Sequence, residues 1–263
     1  MNFASKVKTY SSKVNLCIGL DPVWEKLPEH IRKSEQPLLE FCSEIIDKTK
    51  DIAVSYKPNL AFFEAFGSKG WDQLKKIVSL IPDNCIVIAD GKRGDIGSTA
   101  VAYAASIYQN LACDAATVNP YLGGDSIEPF LQNPAKGAFI LTLTTNPGGS
   151  DLQGLICEGE PLYIHVVRLA RKLNKSGNAG LVVGATKTKL WQKILETAVD
   201  MPLLIPGIGA QGGDIDELKS ELSGYSSTAF VNASRSIIYA SSKRDFGDRA
   251  RIEASKLFER FQA

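Results

Sequence analysis

The stretch IVIADGKRGDIGSTA, residues 86–100, joins an apolar run directly to a knot of opposite charges. Ile86-Val87-Ile88-Ala89 reads as a buried strand, yet Asp90, Lys92, Arg93 and Asp95 follow at once. Taking a charge out of water is costly unless it meets a partner or serves a ligand. Continuous apolar strands are those of a parallel sheet covered on both faces. The polar residues then belong at the strand's C-terminal end.

The same pattern recurs outward from this point. Strand candidates are Val14–Leu20, Ile52–Tyr56, Cys85–Ala89, Ala115–Val118, Ala138–Leu143, Gly180–Gly184, Pro202–Ile205 and Thr228–Val231. They are short and do not alternate cleanly with polar residues. Helical periods separate them. Residues 36–49 place Leu38, Leu39, Cys42, Ile45 and Ile46 on one stripe; residues 97–111 are Ala-rich and open on Ser98-Thr99 as capping chemistry. Residues 161–173, 187–199 and 243–261 follow, with shorter segments after Gly124 and after Gly212. Eight βα units in 263 residues predict a (β/α)8 TIM barrel, with residues 2–12 as an extra N-terminal helix over the bottom. A doubly wound open sheet would show G-x-G-x-x-G after its first strand, where this chain has Gly19-Leu20-Asp21-Pro22. No linker, low-complexity tract or internal repeat interrupts the order, so residues 1–263 are read as a single barrel domain.

Composition excludes several classes. The formal net charge of +1 gives no basic face for nucleic acid. The opening residues MNFASKVKTYSSKVN lack the continuous apolar core of a signal peptide, and no run approaches the roughly 18 apolar residues of a membrane span. Five dispersed cysteines without a C-x-x-C pair point to reduced thiols and a cytoplasmic protein. His30 and His165 stand far apart in no ligand spacing, so neither a His-based triad nor a metal site is expected.

In a barrel the chemistry lies at the C-terminal strand ends. Read in order, these ends supply Asp21; Lys57 and Asn59; Asp90, Lys92 and Asp95; Asn119; Thr144, Thr145 and Asn146; Pro206-Gly207; and Asn232, Ser234 and Arg235. Asp90 and Lys92 are two apart, so extended geometry sends both to one side, and Lys57 ends the neighbouring strand about 4.8 Å away. A Lys–Asp–Lys row follows, in which each opposite neighbour favours the charged form. The glycines of IPGIGAQGGD, residues 205–214, allow backbone amides close to an anion, with Gln211 in register. Arg235 offers a bidentate donor to the same anion, and loops after strands seven and eight commonly bind phosphate.

These residues resemble the orotidine 5′-phosphate decarboxylase family over essentially the whole barrel. The resemblance is carried by Asp90-Gly91-Lys92-Arg93-Gly94-Asp95-Ile96 with Gly97–Ala100, by Gly19–Pro22, Lys57-Pro58-Asn59 and Thr145–Gly148, and by the run from Pro206 to Asp214. The runs Asp90–Ala100 and Lys57–Glu64 are similar to the branch common in bacteria with somewhat longer chains. The resemblance implies conversion of orotidine 5′-phosphate to uridine 5′-phosphate and carbon dioxide, the last step of de novo pyrimidine synthesis, by a homodimer using neither metal nor organic cofactor. It further implies that Lys57, Asp90 and Lys92 form the charged row beside the pyrimidine carboxylate. Asp95 would complete that row in the partner's site, with Ile96 and Thr99 also across the interface. Asp21 would bind ribose hydroxyls, and Thr145, in place of the family's usual serine, would bond the pyrimidine. Pro206 and Ser234 would line the substrate, and Gln211 and Arg235 would hold its phosphate; Ser234 replaces a glycine often found there.

Two other readings share features of this one. Relatives resembling 3-keto-gulonate-6-phosphate decarboxylase and hexulose-phosphate synthase use the same barrel and D-x-K-x-x-D motif. They work through an enediolate on magnesium and need a further acidic ligand, where Lys57-Pro58-Asn59 supplies a lysine. A non-catalytic sensor of phosphate ligands would not require four charges at one spot.

Overall fold

Eight parallel strands among the described residues, 1–208 and 214–262 of this computed structural model, close on themselves. They are β1 (Val14–Leu20), β2 (Ser55–Pro58), β3 (Ile86–Arg93), β4 (Ala115–Val118), β5 (Gly137–Leu143), β6 (Ala179–Val183), β7 (Leu203–Pro206) and β8 (Ala229–Ala233). Each pairs with its sequence neighbours, and β1 closes the ring by pairing with both β2 and β8. Gly19 thereby stands beside Lys57, and Ile18 beside Ala233. Every residue of β1, β2, β4, β6 and β8 is buried, including the polar Asn15, Ser55, Lys57, Thr117 and Asn232.

The helices lie outside: α1 (Phe3–Tyr10), α2 (Pro37–Thr49), α3 (Gly67–Leu80), α4 (Gly97–Ala105), α5 (Gly124–Leu131), α6 (Leu162–Leu173), α7 (Trp191–Ala198), α8 (Ile215–Leu222) and α9 (Phe246–Gln262). In α2, Pro37 occupies the first turn, where its missing N–H costs nothing, and Leu38, Phe41, Cys42, Ile45 and Ile46 form the buried stripe. Helix α3 is absent from the segments read above. Its buried face is Gly70, Gln73, Leu74, Ile77 and Val78, too mixed to show as an apolar period. Gln73 is nonetheless structural: its Oε1 accepts the Leu38 and Leu39 N–H groups, both at 3.1 Å, and so caps α2.

The capping expected of Ser98 and Thr99 is corrected. Ile96 holds the cap position of α4 with no side-chain bond, and Asp95 Oδ1 accepts the Ile96 N–H at 2.8 Å instead. The helix expected over residues 97–111 gives way after Ala105 to a π-turn at Ser106–Asn110. That expected over 187–199 begins as a 3₁₀ segment, Ala185–Leu190. A two-residue antiparallel hairpin, Ile156–Cys157 against Glu160–Pro161, extends the segment after β5.

The barrel's interior is a core of its own. Phe139 of β5 meets Phe3 edge-on at 6.3 Å and Phe230 edge-on at 6.0 Å, so α1 plugs the floor with an aromatic ring. Gly137 makes the room, since a Cβ there would lie 2.4 Å from the Phe3 ring. Phe3→Ala is expected to cost about 3–5 kcal/mol by emptying this floor. The check is urea unfolding: a lowered midpoint with an unchanged slope.

Candidate active site

The charged knot sits on a bulge. Between the paired positions Ala89↔Ala116 and Arg93↔Val118, β3 carries more residues than β4 can match. Asp90-Gly91-Lys92 stand there against Thr117 alone, two residues too many, and Lys92 takes a left-handed φ of 44°. Such a conformation is costly for a residue with a Cβ and persists only where the surroundings hold it. Here the Lys92 N–H donates to Thr117 Oγ1 at 2.9 Å, and the Thr117 hydroxyl donates to Asp90 Oδ1 at 3.0 Å. Gly91 fits because a Cβ at that position would press within 2.8 Å of Leu60 Cδ1. The same-side argument from extended geometry is therefore corrected: the two side chains converge through a bulge, not along a flat strand.

Asp90 is the hub. Its Oδ2 accepts Lys57 Nζ at 2.6 Å, and its Oδ1 accepts Lys92 Nζ at 2.7 Å. The Lys57 and Asp90 side chains are 5% and 9% exposed, whereas that of Lys92 is 50% exposed, so a buried pair carries a cation that reaches into the open. Burial presses the Asp90 carboxyl towards protonation, but Lys57 and Lys92 overturn this and hold it well below the usual carboxylate range. Burial likewise presses Lys57 towards neutrality, and Asp90 with Asp21 raises it above an ordinary lysine.

Lys57 and Asp90 line a cleft of about 470 Å³ at the C-terminal ends of the strands; Lys92 is joined to it through Asp90 and is not itself among the lining residues. Asn59 and Phe62, which follow β2, line it as well, with Asp21 just after β1, Asn232 of β8, and Ser234 and Arg235 just after β8. Pro206, Gly207 and Ile208 border it from β7. A larger hollow of about 610 Å³ lies at the opposite end, beside Lys8, Lys13 and Thr228, where no buried charge pair stands; volume alone does not select the site.

The other expected residues divide into groups. Asp21 Oδ2 accepts the Ser234 hydroxyl at 2.6 Å, while Asp21 Oδ1 is buried with no partner among the described residues. Arg235 opens a short helical turn, Arg235–Ile238, and forms no ion pair among the described residues. Thr145 is half-buried after β5. Its neighbour Thr144 is tied down by Gln153, whose Oε1 accepts the Thr144 N–H at 3.0 Å and whose Nε2 donates to Thr144 Oγ1 at 2.8 Å. Asp95, Ile96 and Thr99 do not line the cleft of their own chain; Ile96 is 56% exposed. Gln211 lies outside the described residues, as do Gly209, Gly212 and Gly213. Among the described residues no three His, Cys, Asp or Glu side chains converge as a metal-binding group.

Thr117 was not singled out from the sequence. Its signal is the alternation of β4, which puts Thr117 on the same side as Asn119. Lys26 and Phe62 also border the cleft; Phe62 falls in the run 57–64 quoted above, and no sequence signal marks Lys26.

The sequence profile of the orotidine 5′-phosphate decarboxylase / HUMPS family matches residues 14–249. The chain belongs to this family. Among family members it is 46% identical over 243 residues to orotidine 5′-phosphate decarboxylase of Herpetosiphon aurantiacus, covering 92% of this chain and 90% of that one. To the enzyme of the same name from a Roseiflexus species it is 45% identical over 251 residues, covering 94% and 92%. The structure of Leishmania donovani OMP decarboxylase superposes with a TM-score of 0.85 at 34% identity, covering 100% of this chain and 98% of that one. Leishmania donovani UMP synthase gives a TM-score of 0.88 at 36% identity over 100% of this chain, which spans only 56% of that longer protein.

The buried pair has a pH signature. Lys57 is raised in the folded state, so its contribution is full below the unfolded value of about 10.4 and is lost only as pH climbs through the higher folded value. Asp90 is lowered, so its contribution is full above about 3.9 and is lost as pH falls through the folded value. Stability should thus be flat in this respect between about pH 5 and 9. Asp90→Asn leaves Lys57 buried without its main counter-charge and is expected to cost about 3–5 kcal/mol at neutral pH. Its Lys57 pKa should drop below the unfolded value, so denaturant titrations should show the variant, unlike the parent, gaining stability from pH 8 to 10.

Proposed function

We propose that the chain converts orotidine 5′-phosphate to uridine 5′-phosphate and carbon dioxide, the last step of de novo pyrimidine nucleotide synthesis, with no metal or organic cofactor. Family membership supports a carboxy-lyase. The observation that carries the mechanism is one carboxylate, Asp90, in the wall of the cleft and bonded at both oxygens by ammonium groups.

Loss of carbon dioxide leaves an electron pair on C6 of the pyrimidine. Lys92 is the half-exposed cation of the row, and its Nζ stabilises this charge as it develops and then delivers a proton to C6. Lys57 is sealed beneath Asp90, so the carboxylate is pinned in place before substrate arrives and no reorganisation is needed during reaction. Asp90 lies towards the departing carboxylate, and repulsion between them is relieved as the bond breaks. Arg235, unpaired at the cleft mouth among the described residues, takes the phosphate together with Gln211. Asp21 receives ribose hydroxyls, and the Thr145 hydroxyl meets the pyrimidine. Phosphate binding far from C6 supplies energy for holding the ring against the charged row.

The active unit in this reading is a homodimer in which Asp95 completes the row of the neighbouring site. Its support is that Asp95, Ile96 and Thr99 are not among the residues lining the cleft of their own chain. Exposed apolar side chains in α4 and just after β4, Val101 at 49%, Tyr121 at 76% and Leu122 at 48%, offer a partner apolar surface. Five free thiols, four of them buried, fit a cytoplasmic enzyme.

Lys92→Ala should lower turnover of orotidine 5′-phosphate, followed by absorbance, about a thousandfold or more. The variant should stay folded and still bind uridine 5′-phosphate; turnover near the parent's would refute the role. Asp95→Asn and Lys57→Ala proteins, each inactive alone, should regain activity on mixing, because half of the sites in hybrid dimers are intact at both positions. No recovery, in a mixture shown to exchange subunits, would remove the shared site.

A further inference from the structure

We propose that Ser234 is a positioning residue for ribose recognition: it clamps one oxygen of Asp21 and leaves the other for a hydroxyl of the bound nucleotide. This rests on the reading above, in which Asp21 faces the ribose. Asp21 and Ser234 are 213 positions apart in sequence and meet because β1 closes against β8, with Ile18 beside Ala233. Ser234 Oγ lies 2.6 Å from Asp21 Oδ2 and 3.2 Å from the Gly19 carbonyl oxygen. A hydroxyl has one proton, and the carboxylate, nearer and charged, is the stronger acceptor.

The surroundings are built for this contact. A Cβ on Gly19 would lie 2.7 Å from Ser234 Cβ, so glycine leaves room for the serine side chain. The Asp21 main chain is held as well: the Tyr239 hydroxyl donates to Asp21 O at 2.5 Å and accepts the Val23 N–H at 2.6 Å. Tyr239 thus fixes the backbone from which the carboxylate projects, and Ser234 fixes the carboxylate itself. What is left over is Asp21 Oδ1, buried, without a partner among the described residues, and part of a residue that lines the cleft. A buried acceptor in that state calls for a donor. The phosphate and carboxylate of the substrate are themselves acceptors; its donors are the ribose hydroxyls and the pyrimidine N3–H, and with Asp21 towards the ribose the hydroxyls are the ones that suit it. A glycine, the residue often found here in the family that the sequence resembles, has no hydroxyl with which to make the clamp.

The test is calorimetric binding of uridine 5′-phosphate and its 2′-deoxy and 3′-deoxy analogues to the parent protein and to Ser234→Ala, with KM and kcat for orotidine 5′-phosphate. The parent should prefer uridine 5′-phosphate over at least one deoxy analogue by about tenfold. Ser234→Ala should weaken uridine 5′-phosphate about five- to tenfold, leave that analogue unchanged, and raise KM while kcat stays within about twofold. Gly19→Ala, which displaces the serine side chain, should do the same. Equal weakening of all three ligands, or no change in any, would overturn the clamp. So would a parent protein indifferent to the ribose hydroxyls, even one that turns over orotidine 5′-phosphate. A parent that discriminates among the three but does not decarboxylate would sink the functional reading and leave the clamp standing. Should Ser234→Ala not fold, Ser234→Gly carries the same comparison.

Discussion

A single buried contact, Lys57 Nζ on Asp90 Oδ2 at 2.6 Å, constrains the upper half of this barrel. Two charges have left water to make it, and neither is stable there without the other. The strands that carry them must therefore stay in register. The isolated bridge between Asn59 and Asp90 continues the β2–β3 pairing right up to the pair. Beyond that point regular pairing stops, and the β3 bulge turns Lys92 back onto the same carboxylate. Strain at Lys92 is held by Thr117, so β4 is drawn into the same network.

The two ends of the barrel are built on different principles. The floor is sealed by aromatic rings from α1, β5 and β8, which interlock without polar groups. The mouth is polar and its groups are held in pairs, with Ser234 on Asp21 and Lys57 on Asp90. An apolar floor provides rigidity that does not depend on pH, so the fixed charges above can be committed to chemistry. Low exposure of Asp90 also strengthens its interactions, because little water screens them.

Much of this was legible in advance, and unevenly so. β1 and β4 have the bounds read from sequence, because each is a continuous apolar run bounded by polar residues. β2 lies as much as three residues later than expected, because its final residues, Lys57 and Pro58, do not look like strand although both are buried. α3 escaped notice because glycine and glutamine occupy part of its buried face. The Ser98-Thr99 cap does not form because α4 begins at Gly97, which puts both residues inside the first turn and Ile96, with no side-chain acceptor, at the cap.

The sequence by itself determined the fold class and the inventory of groups at each strand end, since burial on both faces leaves an unmistakable apolar signature and charges survive only where strands emerge. It also carried the family, because the motifs are local. Only the tertiary structure decided which groups meet: Asp21 finds Ser234 across the closure of the ring, and Thr117 joins Asp90 and Lys92. Those outcomes depend on register, bulges and closure. Such features arise from distant parts of the chain packing together, and no local window of sequence contains them.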